Sequence, residues 1–124
     1  MKRLAMTMDS QLSCLWVYDE AGNVESYGIS KEETKPFEAL FESVERRFAL
    51  DKVCGEYYEE LGFETQQEKD ELIADAFKLF GEVKRHLSGK YKIDDYPDLT
   101  MLYETPAGRR EELRRAYAKE HHLS

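Results

Sequence analysis

The chain has 124 residues, of which 41% are hydrophobic and 35% are charged, and its formal net charge is −8. This length is typical of one globular domain that buries a core without disulfides or metals, so we expect a single domain over residues 1–124. No stretch approaches the roughly 20 apolar residues of a membrane-spanning helix, and the N-terminus lacks the apolar segment of a signal peptide. These absences argue against a membrane protein and predict a cytoplasmic location.

The charge is unevenly distributed along the chain. Residues 106–124 contain five Lys or Arg and three acidic residues, whereas residues 1–105 contain 13 basic and 23 acidic residues. Affinity for nucleic acid depends on clustered Lys and Arg side chains that displace counterions from phosphates. The acidic body of the chain therefore disfavours nucleic-acid binding and favours a basic protein partner.

The first elements are predicted to be strands. Large apolar residues occupy alternate positions from residue 4 to residue 8, which favours a strand, although a helical spacing fits them as well. Residues 12–18 are rich in aromatic and branched side chains, residues 19–23 have the composition of a turn, and residues 24–29 resume the alternation. This order predicts a β-hairpin.

Helical patterns begin at Ser30. Ser30 and Glu33 have the spacing of a capping box, in which each side chain bonds a backbone N–H that the first helical turn leaves without a partner. Apolar residues then recur every three or four positions over residues 37–48, and the pattern restarts after a slip near Asp51 and ends at Gly62. The segment is predicted to be one kinked helix or two consecutive helices.

The longest helix is predicted from Thr65 to Gly89. Thr65 and Glu68 have the spacing of a second capping box, and Gly89 is a residue that can adopt a left-handed conformation to end the helix. Residues spaced three and four apart, all but one of them apolar, form the stripe expected to face the core: Leu72, Ile73, Ala76, Phe77, Phe80, Val83, Lys84 and Leu87.

After this helix the alternation returns. Tyr91 and Ile93 lie in one strand-like stretch, residues 99–103 form another, and Thr105 with Pro106 begins a weakly amphipathic terminal helix. We therefore expect an α+β fold, in which a small, mainly antiparallel sheet made of the N-terminal hairpin plus a later strand packs on three or four amphipathic helices. The helical layer that covers the sheet is expected to contain Phe37, Phe41, Phe48, Phe77 and Phe80.

The densest group of carboxylates lies at residues 56–71, which contain seven acidic residues and one lysine. Tyrosine among charged residues is typical of protein-binding surfaces, because it supplies contact area at a low entropic cost. We therefore predict a docking face for a basic partner, formed by Glu56, Tyr58, Glu59, Glu60 and Glu64. The alternative interpretation is a solvated helix N-terminus, which favours acidic residues without any partner.

Enzyme and metal sites have little support in the sequence. Cys14 and Cys54 belong to no Cys-x-x-Cys pair, and the acidic bend at residues 94–98 lacks the spacing of a calcium loop. The chain contains neither a glycine-rich phosphate loop nor a nucleophile elbow. We therefore expect no cofactor and no metal site, and the sequence favours a non-enzymatic role.

The function predicted first is that of an acidic, non-enzymatic protein-binding module that inhibits, neutralises or adapts a basic partner, of the kind represented by immunity proteins and antitoxins. The alternative is a small-ligand binding protein or enzyme with an aromatic-lined pocket between sheet and helices. The lining of that pocket would be Trp16, Tyr18, Tyr27 and Tyr103. The basic terminal helix would also allow a homodimer, if it contacted the acidic face of a second copy.

Overall fold

The computed structural model describes residues 1–8, 13–49, 63, 65–104, 107, 115 and 118–120. Within them the chain has the expected α+β fold, and its strands are β1 (Arg3–Met6), β2 (Leu15–Tyr18), β3 (Val24–Ser26) and β4 (Lys92–Ile93). The helices are α1 (Lys31–Thr34), α2 (Glu38–Ala49), α3 (Gln66–Leu87) and α4 (Thr100–Glu104), and a 3-10 turn (Lys35–Phe37) joins α1 to α2. No helix in these ranges is both long and apolar enough to cross a membrane.

The four strands form one sheet in the order β3-β2-β1-β4. β2 pairs antiparallel with both β1 and β3, whereas β4 pairs parallel with β1, so the sheet is mainly antiparallel with one parallel edge. β2 and β3 form the predicted hairpin, and its turn uses Gly22 at a φ of 88°, a left-handed conformation that glycine adopts at little cost. The Asp19 carboxylate stabilises this turn by accepting hydrogen bonds from the backbone N–H groups of Ala21 and Asn23.

The two faces of the sheet differ in what covers them. Leu4 of β1 lies opposite Val17 of β2, and both side chains are buried. The next pair on the same face, Met6 and Leu15, is buried as well. These four side chains belong to one core with residues of α2 and α3, so this face is covered by the helices. The alternate residues of β1 and β2 lie on the opposite, outer face.

Two predicted helix caps are present. Ser30 Oγ accepts a 3.2 Å hydrogen bond from the backbone N–H of Glu33, and the Glu33 carboxylate accepts one of 3.0 Å from the backbone N–H of Ser30. This reciprocal pair is the predicted capping box of α1. At the start of α3, Thr65 Oγ1 accepts a 3.0 Å hydrogen bond from the backbone N–H of Glu68, which is one of the two bonds of the capping box predicted there.

The end of α3 differs from the prediction, because Gly89 does not adopt a positive φ. Ser88, which follows the last helical residue, has a right-handed conformation. The backbone N–H groups of Lys90 and Tyr91 both donate to the carbonyl of Leu87, at 3.0 and 2.9 Å. Continued hydrogen bonding through this tight last turn satisfies the Leu87 carbonyl without a left-handed residue.

The buried side of α3 is rotated relative to the predicted stripe. Phe77 is 47% exposed, whereas Leu79, which the prediction omitted, is fully buried. α2 packs along the side of α3 that carries Asp75 and, one turn later, Leu79, and Arg47 of α2 reaches Asp75 at 2.6 Å. Because α2 lies on this side, the buried face of α3 shifts towards it and away from Phe77. The prediction that Phe77 helps to cover the sheet is therefore wrong, although Phe37, Phe48 and Phe80 are buried and Phe41 is partly buried.

Residues 99–103 were expected to form a strand, and this prediction is also wrong, because most of them belong to α4. Asp98 Oδ1 accepts a 3.1 Å hydrogen bond from the backbone N–H of Thr100, which caps the start of this helix. Leu99 and Leu102 are both buried. A strand would direct residues three apart to opposite faces, whereas one helical turn directs them to the same side.

Candidate protein-binding surface

The predicted docking face falls outside the described residues, and its role stays a prediction: Glu56, Tyr58, Glu59, Glu60 and Glu64. Most of the terminal helix predicted from Thr105 also falls outside them. The acidic stretch is described only from the cap of α3 onwards, where the side chains of Gln66 and Gln67 donate to Asp70 and Glu71 one turn later. Both acids are exposed at this helix start.

Three of the four residues predicted to line a pocket lie on the outer face of the sheet. Trp16 and Tyr18 alternate along β2 with the buried Leu15 and Val17, so they point away from the helices. The ring of Trp16 meets that of Tyr27 edge to face, with centroids 5.1 Å apart. The predicted position of these side chains between sheet and helices is therefore wrong, because the two-residue period of β2 directs them to the other face.

Tyr103, the fourth predicted pocket residue, lies apart from the other three. It belongs to α4, and its side chain is 57% exposed. Its backbone carbonyl accepts a 2.7 Å hydrogen bond from Lys69 Nζ of α3, which places it on the helical side of the molecule. The four aromatic residues therefore do not line one common pocket.

Residues 94–104 run beside α3 and are attached to it by two lysines. Lys69 Nζ bonds the carbonyl of Tyr103, and Lys84 Nζ bonds the carbonyl of Asp95 at 3.3 Å. Lys69 therefore contacts the end of the segment and Lys84 its beginning, so the segment runs antiparallel to α3. Phe77 precedes Lys84 by seven residues, or about two helical turns, and therefore lies on the same side of α3 as Lys84.

Large side chains are exposed on the segment and on the side of α3 that carries Lys84. They are Phe77 (47%), Tyr96 (82%), Met101 (38%) and Tyr103 (57%). We call these four residues the aromatic surface. Leu99 and Leu102 bury the other side of the segment in the core, so the exposed side chains extend from a backbone that is fixed by packing. Exposed aromatic and methionine side chains have the composition of the centres of protein interfaces.

Carboxylates flank the two tyrosines of the aromatic surface in sequence. Residues 94–104 contain four acidic residues and neither Lys nor Arg. Asp94 is neutralised by Arg3 at 2.7 Å, but within the described part of the chain Asp95 and Glu104 have no ion-pair partner. Asp98 uses one oxygen to cap α4. The surface therefore combines exposed aromatic rings with two carboxylates that no described Lys or Arg pairs, while the ammonium groups of Lys69 and Lys84 bind backbone carbonyls of the same segment.

A separate cleft of about 710 Å³ lies where the hairpin meets α1. None of the four predicted pocket residues lines it. Its charged groups are paired with one another, since Lys2 Nζ lies 2.7 Å from Glu25 and Lys90 Nζ lies 3.0 Å from Glu33. The cleft thus has the size of a small-ligand site, but its charges are already compensated.

The carboxylate of Glu33, which lines this cleft, accepts four hydrogen bonds. Its Oε1 accepts hydrogen bonds from the N–H and the hydroxyl of Ser30, and its Oε2 accepts them from Tyr91 and Lys90. Burial alone would raise the pKa of Glu33, but these hydrogen bonds outweigh burial and lower the pKa to about 2. Burial and the bond to Glu33 raise the pKa of Tyr91 to about 12. Four donors occupy the acceptor positions of this carboxylate, so it has none left for a ligand.

The described groups give no indication of a reactive centre. Cys14 is fully buried, and burial followed by the nearby Glu45 carboxylate raises the pKa of its thiol well above the ordinary value. A thiol that stays protonated is a poor nucleophile. Across the described ranges, no three His, Cys, Asp or Glu side chains are grouped as metal ligands.

The sequence contains part of the signal for the aromatic surface. Tyr96 and Tyr103 lie in a stretch with four acidic residues and no basic one, which is the composition that also distinguishes residues 56–64. Phe77 gives no such signal, because its spacing fits the core stripe of α3. No family model, no curated protein and no solved structure matches the chain.

Proposed function

We propose that the chain is an acidic, non-enzymatic protein-binding module that inhibits, neutralises or adapts a basic protein partner. The observation that carries this proposal is the aromatic surface, in which the exposed Tyr96 and Tyr103 are next in sequence to Asp95 and Glu104, two carboxylates without an ion-pair partner among the described residues. Aromatic residues and methionine are enriched at the centres of protein interfaces. Carboxylates around such a centre select partners of opposite charge and raise the rate of association.

The construction of the surface favours binding. Burying one large apolar side chain against a partner contributes roughly 1.5–3 kcal/mol, before the cost of association is subtracted. Leu99 and Leu102 fix the backbone that presents the surface, so little backbone order has to be gained on binding. Because the carboxylates are exposed, their contribution should weaken as salt rises.

Two further observations favour binding over catalysis. Glu33 has a pKa of about 2, far from the value that suits a general acid or base near neutral pH. Cys14, the nucleophilic side chain described in the core, is buried and has a raised pKa. Neither group is suited to chemistry on a substrate.

A capture experiment tests the proposal. Tagged protein is incubated with a lysate of the source organism, after nuclease treatment and at two salt concentrations. We expect one stoichiometric basic protein to be retained, and to be retained less at the higher salt. In the variants Tyr96→Ala/Tyr103→Ala and Asp95→Lys/Glu104→Lys, we expect its retention to fall by about tenfold or more.

Matched variants control for the loss of any exposed tyrosine or acid. Tyr27→Ala removes a tyrosine that is 51% exposed on the outer face of the sheet. Glu32→Lys/Glu42→Lys reverses two exposed acids of α1 and α2. Both controls should retain the partner like the wild type. Retention of the partner by the surface variants at the wild-type level, or capture of no basic protein, would contradict the proposal. A further variant, Glu59→Lys/Glu60→Lys, tests the docking face predicted from the sequence.

Small-ligand binding is the second candidate, and the cleft of about 710 Å³ is the observation that favours it. Its volume lies within the usual range for ligand sites. A ligand would have to displace the internal ion pairs of Lys2 or Lys90, so we expect it to carry charge itself. A thermal-shift screen with charged metabolites tests this candidate, and a screen in which no compound raises the melting temperature would count against it.

A further inference from the structure

Arg3, an exposed residue of this protein, is contacted by a tyrosine ring and a carboxylate, the two kinds of group that the aromatic surface exposes. The guanidinium of Arg3 lies 4.4 Å from the centre of the Tyr18 ring. Its Nε and Nη2 donate to the two oxygens of Asp94, at 2.7 and 3.0 Å. A planar guanidinium can stack on a ring and bond both oxygens of a carboxylate at the same time, whereas a lysine ammonium acts as a point charge.

The aromatic surface presents tyrosine rings next in sequence to exposed carboxylates, and the ammonium groups of Lys69 and Lys84 there bind backbone carbonyls rather than these carboxylates. Tyr96 lies between Asp95 and Asp98 in sequence and is the most exposed of the large hydrophobic side chains described. Tyr103 is followed directly by Glu104. Within the described residues, no Lys or Arg side chain pairs with Asp95 or Glu104.

We infer that the partner engages this surface through arginine side chains rather than lysine side chains. The inference rests on the proposed function and adds the group by which the partner is recognised. Stacking on Tyr96 or Tyr103 favours arginine because its guanidinium is planar and less strongly hydrated than an ammonium. At an exposed site we expect this preference to be modest, at least about threefold in Kd.

Two synthetic peptides of equal length and charge test the preference, one with arginine alternating with glycine and the other with lysine alternating with glycine. Each is titrated into isotope-labelled protein at low salt while the amide signals are followed by NMR. We expect both peptides to shift signals of residues 95–104, and the arginine peptide to bind at least about threefold more tightly. The variant Tyr96→Ala/Tyr103→Ala should bring the two affinities to within about 1.5-fold of each other.

Two controls separate stacking from loss of structure. Tyr96→Phe/Tyr103→Phe keeps both rings and should keep the arginine preference, because the ring and not the hydroxyl contacts the guanidinium. Tyr27→Ala removes an exposed tyrosine elsewhere and should change neither affinity. A preference that survives loss of both rings would overturn the inference.

The outcomes distinguish this inference from the proposed function. Equal affinities of the two peptides at residues 95–104 would overturn the arginine preference, while capture of a basic protein through the same surface would still support the proposed function. Signal shifts confined to other parts of the protein, or no shifts at all, would also overturn the inference. The capture experiment decides the proposed function separately, because it does not depend on which cation the partner supplies.

Discussion

The hydroxyl of Tyr91 donates a 2.6 Å hydrogen bond to Oε2 of Glu33, which lies 58 residues earlier in the chain. Glu33 belongs to the capping box of α1, and Tyr91 lies directly before β4. Lys90 adds an ion pair of 3.0 Å to the same carboxylate. This contact joins the start of the first helix to the turn that follows the longest one, so it connects two parts of the fold that the backbone alone leaves far apart.

Removing the Glu33 charge should destabilise the protein. We expect Glu33→Gln to lower the free energy of unfolding by about 1.5–3 kcal/mol at pH 7, because hydrogen bonds to a charged group are lost or weakened. Urea unfolding measures the change. Glu32→Gln, at an exposed neighbouring position, should change the value by less than about 0.5 kcal/mol. Equal losses in the two variants would contradict a specific role for Glu33.

The stability contributed by Glu33 should depend on pH. Its pKa is about 2 in the folded protein against an ordinary value of 4.5, so the folded state binds fewer protons between these values. Its contribution is therefore complete above about pH 4.5 and is lost as the pH falls to about 2. Urea unfolding from pH 2 to pH 6 should show that the free energy of unfolding falls less with decreasing pH in Glu33→Gln than in the wild type. Parallel curves for the two proteins would exclude this linkage.

The raised pKa of Tyr91 predicts a second change of stability at alkaline pH. Its pKa is raised from 10.0 to about 12, so its contribution is complete below about pH 10 and is lost as the pH rises to about 12. Tyr91→Phe removes the titrating group, and we expect its stability to vary less over this range. Ultraviolet titration of the phenolate provides an independent measurement. An ordinary pKa for every tyrosine would contradict the buried contact with Glu33.

The corrected buried face of α3 can be tested by truncating its side chains. We expect Leu79→Ala to lower the free energy of unfolding by roughly 2–5 kcal/mol, because it leaves a cavity in the core. Phe77→Ala, at an exposed position, should lower it by less than about 1 kcal/mol. Thermal or urea unfolding measures both variants. A larger loss for Phe77→Ala would support the stripe predicted from the sequence and contradict the rotated helix.

Cys14 should be unreactive while the protein is folded. In a Cys54→Ser background, where Cys14 is the remaining thiol, we expect a disulfide reagent to modify it only slowly at pH 8, because the thiol is buried and its pKa is raised. The same protein in strong denaturant should react completely within minutes. Fast modification under native conditions would show that the end of β2 opens readily.

Local features of this fold could be predicted from the sequence, because the groups that make them lie a few residues apart. Ser30 and Glu33 form their capping box within one helical turn, and Gly22 provides the left-handed residue of the hairpin turn. The alternating residues of β1 and β2 predict strands in the same way. The α+β class follows from the order of such elements, since each local pattern specifies its own period.

The tertiary structure decided which side of each element is buried and which residues lie together. Phe77 and Leu79 both fit a helix, and only the position of α2 beside Asp75 determines that Leu79 is inside and Phe77 outside. The short apolar segment before Glu104 fits a strand or a helix, and burial of its leucines in the common core selects the helix. The parallel pairing of β1 with β4 and the exposure of Tyr96 have the same origin. They depend on contacts between residues far apart in the sequence, whose geometry no local pattern contains.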